Sequence, residues 1–219
     1  MTERNKNVLV LPGAFDYDIA AMFSEYGFRP VQKLDDAGVV VYTGGEDVNP
    51  ALYGEEPHRS VYFSKDRDDM EVGVYNEAKD VLHVGICRGA QLLNVLAGGK
   101  LWQDVDGHGR SHTMSLVEHE GSIRVTSLHH QVMRMAPGAV FMGYGQQATR
   151  FINADGVFHR KEGGEPLIEV EACAYPKLNM LCYQPHPEIA ETGSPCVTWF
   201  FDRINDMQAG KTLPGRLVE

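Results

Sequence analysis

The sequence predicts an α/β fold with a doubly wound, mostly parallel central sheet, flanked by helices and extended by antiparallel strands in its C-terminal half. Strand and helix patterns alternate through the first hundred residues, as parallel strands joined by right-handed crossovers require. Beyond Gly99 the patterns become short, closely spaced strands. Residues 1–219 are interpreted as a single domain, because no repeat, low-complexity tract or linker divides them.

The N-terminal elements follow from two periodicities. Apolar runs with β-branched residues predict buried strands, and apolar residues three or four apart predict one face of a helix. We therefore expect a strand over 8–11, a helix through Ile19, Met22 and Phe23, a faint strand over 28–34, a clear strand over 39–42, a helix over 70–79, a strand over 81–86 and a helix that stops at Gly98-Gly99.

The C-terminal half has a different pattern. We expect strands over 122–126, 139–142, 156–159, 168–174 and 181–184, and a final helix over 195–206. These strands are expected to pair as hairpins or antiparallel additions beside the parallel core. Residues 103–122 are polar and rich in histidine and glycine, and they are predicted to form a solvated loop.

Composition and charge exclude several functions. Lys and Arg number 20 against 30 Asp and Glu, and the net charge of −10 disfavours binding to nucleic acid or anionic membranes. No apolar run reaches membrane-spanning length, and the first residues do not resemble a secretory signal. The 4 cysteines have neither metal-site spacing nor the density of a disulfide scaffold. We predict a cytoplasmic protein that binds neither nucleic acid nor membranes.

The most informative stretch is Gly85-Ile86-Cys87-Arg88-Gly89, between a predicted strand and a predicted helix. It has the Gly-x-nucleophile-x-Gly pattern of a nucleophile elbow, with cysteine at its centre. Its glycines allow a sharp turn that puts Cys87 at the carboxyl edge of the sheet and at a helix N-terminus, where the reactive thiolate is favoured. From the elbow alone, a buried and unreactive cysteine remains an equal alternative.

A partner for this thiol lies in Gln184-Pro185-His186-Pro187-Glu188. The proline after His186 disfavours helical backbone, so His186 and Glu188 are expected to point to the same side of an extended chain. A carboxylate bound to one ring nitrogen orients the other nitrogen towards a nucleophile. A surface loop with a chance histidine is the alternative, and the cysteine elbow in the same chain favours the catalytic interpretation.

Two backbone segments are candidates for an oxyanion hole, which needs N–H donors aimed at a developing negative charge. One is the N–H of Arg88, directly after the elbow cysteine. The other is Gly44-Gly45, which follows a neighbouring strand and lets the backbone approach a ligand closely. An ordinary strand-ending turn also explains this glycine pair.

Six blocks of the sequence, taken in order, form a specific pattern. They are Gly44-Gly45-x-Asp47-Val48-x-Pro50-x-x-Tyr53-Gly54, Arg67-Asp68 with Glu71, Gly85-Ile86-Cys87-Arg88-Gly89, Gly98-Gly99-x-Leu101-x-Gln103-Asp104, Ser127-Leu128-His129-x-Gln131 and Gln184-Pro185-His186-Pro187-Glu188. The pattern resembles class I glutamine amidotransferase-like hydrolases, and within them the branch of gamma-glutamyl-GABA hydrolase. One departure is Val125-Thr126, where that family usually has a nearby Asn.

This resemblance implies a flavodoxin-like sheet, a catalytic triad of Cys87, His186 and Glu188, and an oxyanion hole from the backbones of Gly45 and Arg88. It implies attack on the side-chain carbonyl of glutamine or a gamma-glutamyl amide, followed by hydrolysis of a glutamyl thioester, with no metal or organic cofactor. The residues that it implies for substrate binding are Gly44, Gln91, Ser127, Leu128 and His129.

Three functions remain in competition. The leading one is a freestanding hydrolase of a small gamma-glutamyl substrate, and the second is a glutaminase subunit that supplies ammonia to a separate synthetase or ligase. A catalytically silent binding module is the third, and the intact Cys87, His186 and Glu188 disfavour it. A homodimer is compatible with the sequence.

Several side chains are set aside as structural. His108, His112 and His119 are irregularly spaced, with no carboxylate-rich motif beside them, so no metal site is predicted. The remaining cysteines lie in apolar surroundings and are expected to be inert core thiols: Cys173, Cys182 and Cys196.

An acidic cluster opens the predicted helix over 70–79: Asp66, Asp68, Asp69 and Glu71. Negative charge at a helix N-terminus is favoured by the helix dipole. We therefore expect this cluster to be structural.

Overall fold

The computed structural model describes residues 6–117, 121–160 and 167–219. Within these residues the α-helices are α1 (Asp16–Glu25), α2 (Lys65–Glu77), α3 (Arg88–Leu96) and α4 (Pro195–Gln208). The strands of the N-terminal half are β1 (Asn7–Val10), β2 (Arg29–Pro30), β3 (Val39–Tyr42), β4 (Leu82–Ile86), β5 (Lys100–Trp102) and β6 (Asp104–Val105). Those of the C-terminal half are β7 (His112–Leu116), β8 (Ser122–Val125), β9 (Val132–Arg134), β10 (Val140–Gly145), β11 (Arg150–Asn153), β12 (Gly156–His159), β13 (Glu169–Tyr175), β14 (Met180–Tyr183) and β15 (Arg216–Leu217).

The main sheet combines a parallel and an antiparallel half. Its principal strand order is β2-β1-β3-β4-β14-β13-β10-β7-β8. The strands from β2 to β14 pair in parallel, and those from β14 to β8 pair antiparallel. A second, three-stranded sheet has the order β12-β11-β6. The predicted α/β class is confirmed, with its parallel core and added antiparallel strands.

Two apolar layers cover the two faces of the parallel core. Val39 and Val41 of β3 pack with the apolar faces of α1 and α4, whereas Val40 and Tyr42 pack with α3. This alternation is expected of a strand that is buried on both faces. Because both layers are filled, the carboxyl ends of the parallel strands hold a fixed position for the loops that follow them.

The prediction of a solvated loop over 103–122 is wrong. Part of it forms β6 and β7, and the side chains of His108 and His112 are 0% and 4% exposed. Both imidazoles are paired with carboxylates of β13, at Glu169 and Glu171 respectively. The polar side chains of this stretch are buried because their hydrogen-bonding partners lie on β13, far along the chain. His119 lies outside the described residues.

Two helices are longer than predicted. Helix α2 begins at Lys65 rather than near residue 70, because the hydroxyl oxygen of Ser64 accepts a bond from the Arg67 N–H at 3.4 Å and caps the helix. Helix α4 continues to Gln208, two residues past the predicted end. None of the helices in the described ranges is long and apolar enough to cross a membrane.

The sheet order brings three loops together. Strand β4 lies between β3 and β14, and all three run in parallel. The segments that follow their carboxyl ends contain Gly44, Cys87 and His186. Ligand sites of open α/β sheets lie at this edge.

Gly89 provides a test of how closely α3 packs on β3. A Cβ at this position would lie 2.1 Å from the backbone oxygen of Tyr42. We expect Gly89→Ala to lower the free energy of unfolding by about 1–3 kcal/mol, measured by urea denaturation, because backbone must shift to relieve the overlap. The control is Gly73→Ala in α2, where no atom lies within 4 Å of the added Cβ. It should be neutral or stabilising by up to about 1 kcal/mol, and equal losses in both variants would contradict this packing.

Candidate active site

The elbow holds Cys87 in an unusual backbone conformation between β4 and α3. Its φ of 52° and ψ of −112° are costly for a residue with a Cβ. The Cys87 N–H donates to the Tyr183 carbonyl oxygen at 3.0 Å, and the Cys87 carbonyl oxygen accepts from the Gln91 N–H at 3.1 Å. Bonds to β14 and α3 therefore hold the turn, and the thiol lies at the N-terminus of α3.

His186 contacts both of its predicted partners. Its Nδ1 lies 2.6 Å from Glu188 Oε1, and its ring interacts with the Cys87 side chain, which lies against the same glycine loop after β3. The His186 and Glu188 side chains are 3% and 0% exposed. The geometry brings together all three residues of the predicted triad, and the carboxylate fixes which ring nitrogen faces the sulfur.

The surroundings of His186 favour the imidazolium. Burial alone would lower the pKa of His186, but the hydrogen bonds to Cys87 and Glu188 outweigh burial and raise this pKa to about 10. At neutral pH the ring therefore carries a proton and a positive charge beside the sulfur. A histidine beside the sulfur is the usual partner of a cysteine nucleophile.

Thr126 is a residue that the sequence analysis recorded only as a departure from the family pattern. Its hydroxyl oxygen accepts a bond from the His186 N–H at 3.1 Å, and its hydroxyl group donates to the His186 carbonyl oxygen. Thr126 thus fixes the backbone that carries the imidazole. No sequence signal identifies this role, because the two residues are 60 positions apart.

The loop after β3 approaches the thiol and the imidazole closely. A Cβ at Gly44 would lie 3.0 Å from His186 Cε1 and 3.8 Å from Cys87 Cβ. Gly45 has a φ of 143°, a conformation that favours glycine. The Gly45 N–H belongs to the same loop as Gly44, and the Arg88 N–H lies in the first turn of α3, where helix N–H groups lack intrahelical acceptors.

Arg67 fixes the conformation of this glycine loop. Its Nη2 donates to the carbonyl oxygens of Gly44 at 2.8 Å and Thr43 at 3.2 Å. The Gly44 carbonyl and the Gly45 N–H belong to one peptide group, so the bond from Arg67 orients that N–H. Arg67 is therefore a positioning residue for the predicted oxyanion hole.

The acidic residues of α2 do more than complement a helix dipole. Arg88, which is 2% exposed, forms ion pairs with Asp68 and Glu71. Glu71 also binds Arg67, with 3.0 Å between Arg67 Nε and Glu71 Oε1. Burial lowers the pKa of Arg88 to about 10, and burial raises the pKa of Asp68 despite the neighbouring guanidinium. The cluster is a buried ionic anchor beneath the elbow.

The residues predicted to bind substrate occupy different environments. Gln91 is buried, and its Nε2 donates to the carbonyl oxygen of Gln131 at 3.1 Å and to Gln184 Oε1 at 3.2 Å. Ser127 and His129 are buried, whereas Leu128 is 52% exposed. These three residues follow Thr126 directly, so the segment that supports His186 continues into the predicted substrate wall.

His130 joins two loops at the edge of this site. Its Nε2 lies 3.0 Å from Asp47 Oδ1, and its Nδ1 lies 3.2 Å from Asp104 Oδ1. Hydrogen bonds to both carboxylates raise the pKa of His130, with the bond to Asp47 as the largest cause. This bridge has no signal in the sequence, because its three members come from separate blocks.

Fold and site together define a class I glutamine amidotransferase-like protein. More specifically, the chain belongs to the Peptidase C26 family, whose sequence profile matches residues 28–174. The matched region includes Cys87 and ends before His186.

Two curated relatives from Lactococcus lactis are described as glutamine amidotransferase-like. The chain is 32% identical to the glutamine amidotransferase-like protein YvdE of Lactococcus lactis subsp. lactis, over 68% of this chain and 65% of that protein. It is 39% identical to the YvdE homologue of Lactococcus lactis subsp. cremoris, over 43% of this chain and 63% of that protein. The chain thus spans somewhat less than two thirds of the length of these relatives.

Solved structures support the fold at low sequence identity. A glutamine amidotransferase from Thermotoga maritima superposes with a TM-score of 0.56 at 15% identity, covering 95% of this chain and 86% of that one. PurLQS from the same organism gives a TM-score of 0.54 at 19% identity, covering 92% and 98%.

Removal of the Arg88 guanidinium tests the buried anchor. We expect Arg88→Met to lower the free energy of unfolding by about 3–5 kcal/mol, because the buried Asp68 carboxylate loses its paired cation and Glu71 keeps only Arg67. Urea denaturation measures this loss. The control is Arg124→Met on β8, which removes the same charge from an exposed position and should cost less than about 0.5 kcal/mol. A loss at Arg88 no larger than at Arg124 would contradict the anchor.

The pH dependence of stability tests the protonation of His186. The folded state holds this proton more tightly than the unfolded chain, because the pKa rises from 6.5 to about 10. The resulting stabilisation is complete below pH 6.5 and is lost as the pH rises towards 10. We expect the stability difference between the wild type and His186→Gln, from urea denaturation, to shrink steadily between pH 7 and 10.

The matched comparison is Glu188→Gln, which keeps the imidazole but replaces the carboxylate that contacts its Nδ1. Its stability should change less steeply with pH than that of the wild type over the same range. If the stability difference between the wild type and His186→Gln stayed constant or grew up to pH 10, the raised pKa of His186 would be ruled out.

Proposed function

We propose that this protein is a cysteine-dependent hydrolase of the gamma-glutamyl amide bond, in glutamine or a gamma-glutamyl amine. The observation that carries the proposal is the buried contact of His186 with both Cys87 and Glu188. In an arrangement of this kind the histidine activates the cysteine sulfur as a nucleophile and also protonates the leaving amine. Membership of the Peptidase C26 family supports the reaction class.

The proposed reaction has two halves. The Cys87 sulfur attacks the amide carbonyl carbon, and the N–H groups of Gly45 and Arg88 stabilise the negative oxygen of the tetrahedral intermediate. His186 donates its proton to the leaving nitrogen as the C–N bond breaks, which leaves a glutamyl thioester. Water then attacks the thioester while His186 accepts its proton, and cleavage of the C–S bond releases glutamate and regenerates the thiolate.

The substrate is proposed to be a small molecule with a free glutamyl end. Ser127, Leu128 and His129 follow Thr126 directly in the chain, and Gln91 lies one helical turn after Cys87. We assign the glutamyl group to this wall, with Gly44 at its mouth. The sequence blocks favour the gamma-glutamyl-GABA hydrolase branch, in which the leaving group is an amine larger than ammonia.

The reaction as written needs no organic cofactor, and the whole chain is proposed to act as one domain in the cytoplasm. The four cysteines Cys87, Cys173, Cys182 and Cys196 are all free, which agrees with a reducing compartment.

A second candidate is a glutaminase subunit that passes ammonia to a separate synthetase or ligase. The observation that favours it is the description of the curated relatives as glutamine amidotransferase-like. In that case free glutamine is the substrate, and its hydrolysis rises sharply when the partner is added.

Glutamate release tests the proposal. The purified chain is incubated separately with glutamine and with a panel of gamma-glutamyl amines, and products are identified by mass spectrometry. We expect release from at least one substrate and its loss in Cys87→Ala. Glu188→Gln should lower kcat by about 10²-fold or more, because the imidazole loses the carboxylate that orients it.

The control is Cys196→Ala, which alters another buried thiol in α4 and should retain wild-type kcat. Glutamate release that persists undiminished in folded Cys87→Ala would refute the proposed nucleophile. Release from glutamine alone, stimulated by a co-purified ligase, would favour the subunit over the freestanding hydrolase.

A further inference from the structure

A second buried polar cluster lies beside the site. It shares His129 with the proposed substrate wall, and the proposed reaction leaves its other members unused. Its five members come from the stretch around β7, the segment after β8, and β13: His108, His112, His129, Glu169 and Glu171. The rings of His108 and His129 are 4.3 Å apart between centroids, and those of His108 and His112 are 5.1 Å apart. Ionisable groups that are buried away from solvent each need a hydrogen-bonding or oppositely charged partner.

Two atoms at the centre of the cluster lack a partner. Among the described residues, neither His129 Nε2 nor Glu171 Oε2 has a hydrogen bond, although their side chains are 2% and 0% exposed. The two atoms face each other across 3.9 Å. An unsatisfied buried polar atom costs about 1–3 kcal/mol, and more when the group is charged.

The tautomer of His129 leaves a lone pair on Nε2, so both facing atoms can act as ligands of a metal ion. Its Nδ1 lies 3.0 Å from the carbonyl oxygen of Gln131, so Nδ1 carries the hydrogen and Nε2 presents a lone pair to Glu171. An imidazole nitrogen with a free lone pair is the commonest metal ligand in proteins.

The other groups hold the donors in place. His112 Nε2 lies 2.9 Å from Glu171 Oε1, which leaves Glu171 Oε2 directed at His129. His108 Nε2 lies 3.1 Å from Glu169 Oε2, and Glu169 is further bound by the N–H groups of Gln147 and Ala148 at 2.8 Å. Histidine ligands of metal sites are oriented by carboxylates in this way.

From this geometry we propose that His108, His129 and Glu171 bind a divalent transition-metal ion, with Zn²⁺ as the best match. One ligand atom from each of the three residues lies within 4.8 Å of the others. Two imidazole nitrogens and one carboxylate oxygen form a donor set typical of Zn²⁺. The ion would satisfy both unpartnered atoms at once.

The backbone leaves room for this cluster at Gly145 on β10. A Cβ there would lie 2.8 Å from Glu169 Oε2 and 3.0 Å from Glu171 Oε1. Any larger residue would push the carboxylates out of place. Glycine at this point of β10 is therefore a requirement of the cluster.

The proposed ion would stabilise the wall of the candidate active site. It joins β13, through Glu171, to the segment that follows β8, through His129. That segment begins with Thr126, which holds the backbone of His186. The metal would therefore have a positioning role, because it links the antiparallel half of the sheet to the segment that holds the backbone of His186. This inference goes beyond the proposed hydrolysis and does not depend on it.

Direct metal binding tests the proposal without any activity measurement. The full chain carries Cys87→Ser in every sample, so that the elbow thiol does not compete for the ion. After treatment with a chelator, it is titrated with ZnCl₂ by calorimetry, and its metal content is measured after dialysis. We expect one Zn²⁺ per chain, and a higher Tm in its presence.

Variants locate the site. Glu171→Gln and His108→Asn should each weaken Zn²⁺ binding by about 100-fold or more, since each removes one of three ligands. The matched control His159→Asn changes an exposed histidine on β12 and should leave the affinity unchanged. Binding that is equal in all variants would overturn the assignment, as would the absence of stoichiometric Zn²⁺.

Co²⁺ provides a readout that does not depend on the variants' folding. The Cys87→Ser protein loaded with Co²⁺ should show visible absorption bands of a low-symmetry site with nitrogen and oxygen ligands, which added Zn²⁺ abolishes. A spectrum identical to that of hydrated Co²⁺ would show that the cluster is a hydrogen-bonded network without a metal.

Discussion

One carboxylate connects the two sides of the candidate active site. Glu71 binds Arg67 through one oxygen and Arg88 through the other. Arg67 in turn holds the Gly44 carbonyl, and Arg88 follows the elbow cysteine directly in the chain. The glycine loop after β3 and the N-terminus of α3 are therefore fixed relative to each other by charges that are largely buried. Buried ion pairs of this kind rarely add much stability, but they specify one arrangement.

This ionic anchor explains how the elbow keeps its strained geometry. The positive φ of Cys87 costs free energy that the surrounding contacts must offset. Bonds from β14 and α3 hold the Cys87 backbone, while Gly85 and Gly89 leave no Cβ to obstruct the turn. The site is thus organised before any ligand arrives, as electrostatic stabilisation of a transition state requires.

The sequence was informative where function depends on local chain geometry. The elbow around Cys87 and the His186-Pro187-Glu188 segment each fix their side chains within a few residues, so pattern and spacing predicted both, and parallel strands explain why they meet. The parallel half of the sheet was predictable for the same reason, since its strands are continuous apolar runs.

The sequence failed where burial depends on a distant partner. Residues around His112 looked like a solvated loop because their partners, such as Glu171, lie on β13. The acidic face of α2 looked like a complement to the helix dipole, since nothing near it in the chain revealed the guanidinium of Arg88. Buried charge pairs leave no periodic pattern, and three-dimensional proximity alone identifies them.

The position of β14 in the sheet has a consequence for biosynthesis. Met180–Tyr183 pairs with residues 83–86 of β4, so the central strand of the sheet gains its second neighbour only when a segment almost a hundred residues later has left the ribosome. Closing so long a loop is slow compared with forming local helices. The contact between Cys87 and His186, which follows β14, therefore forms as one of the last events of folding.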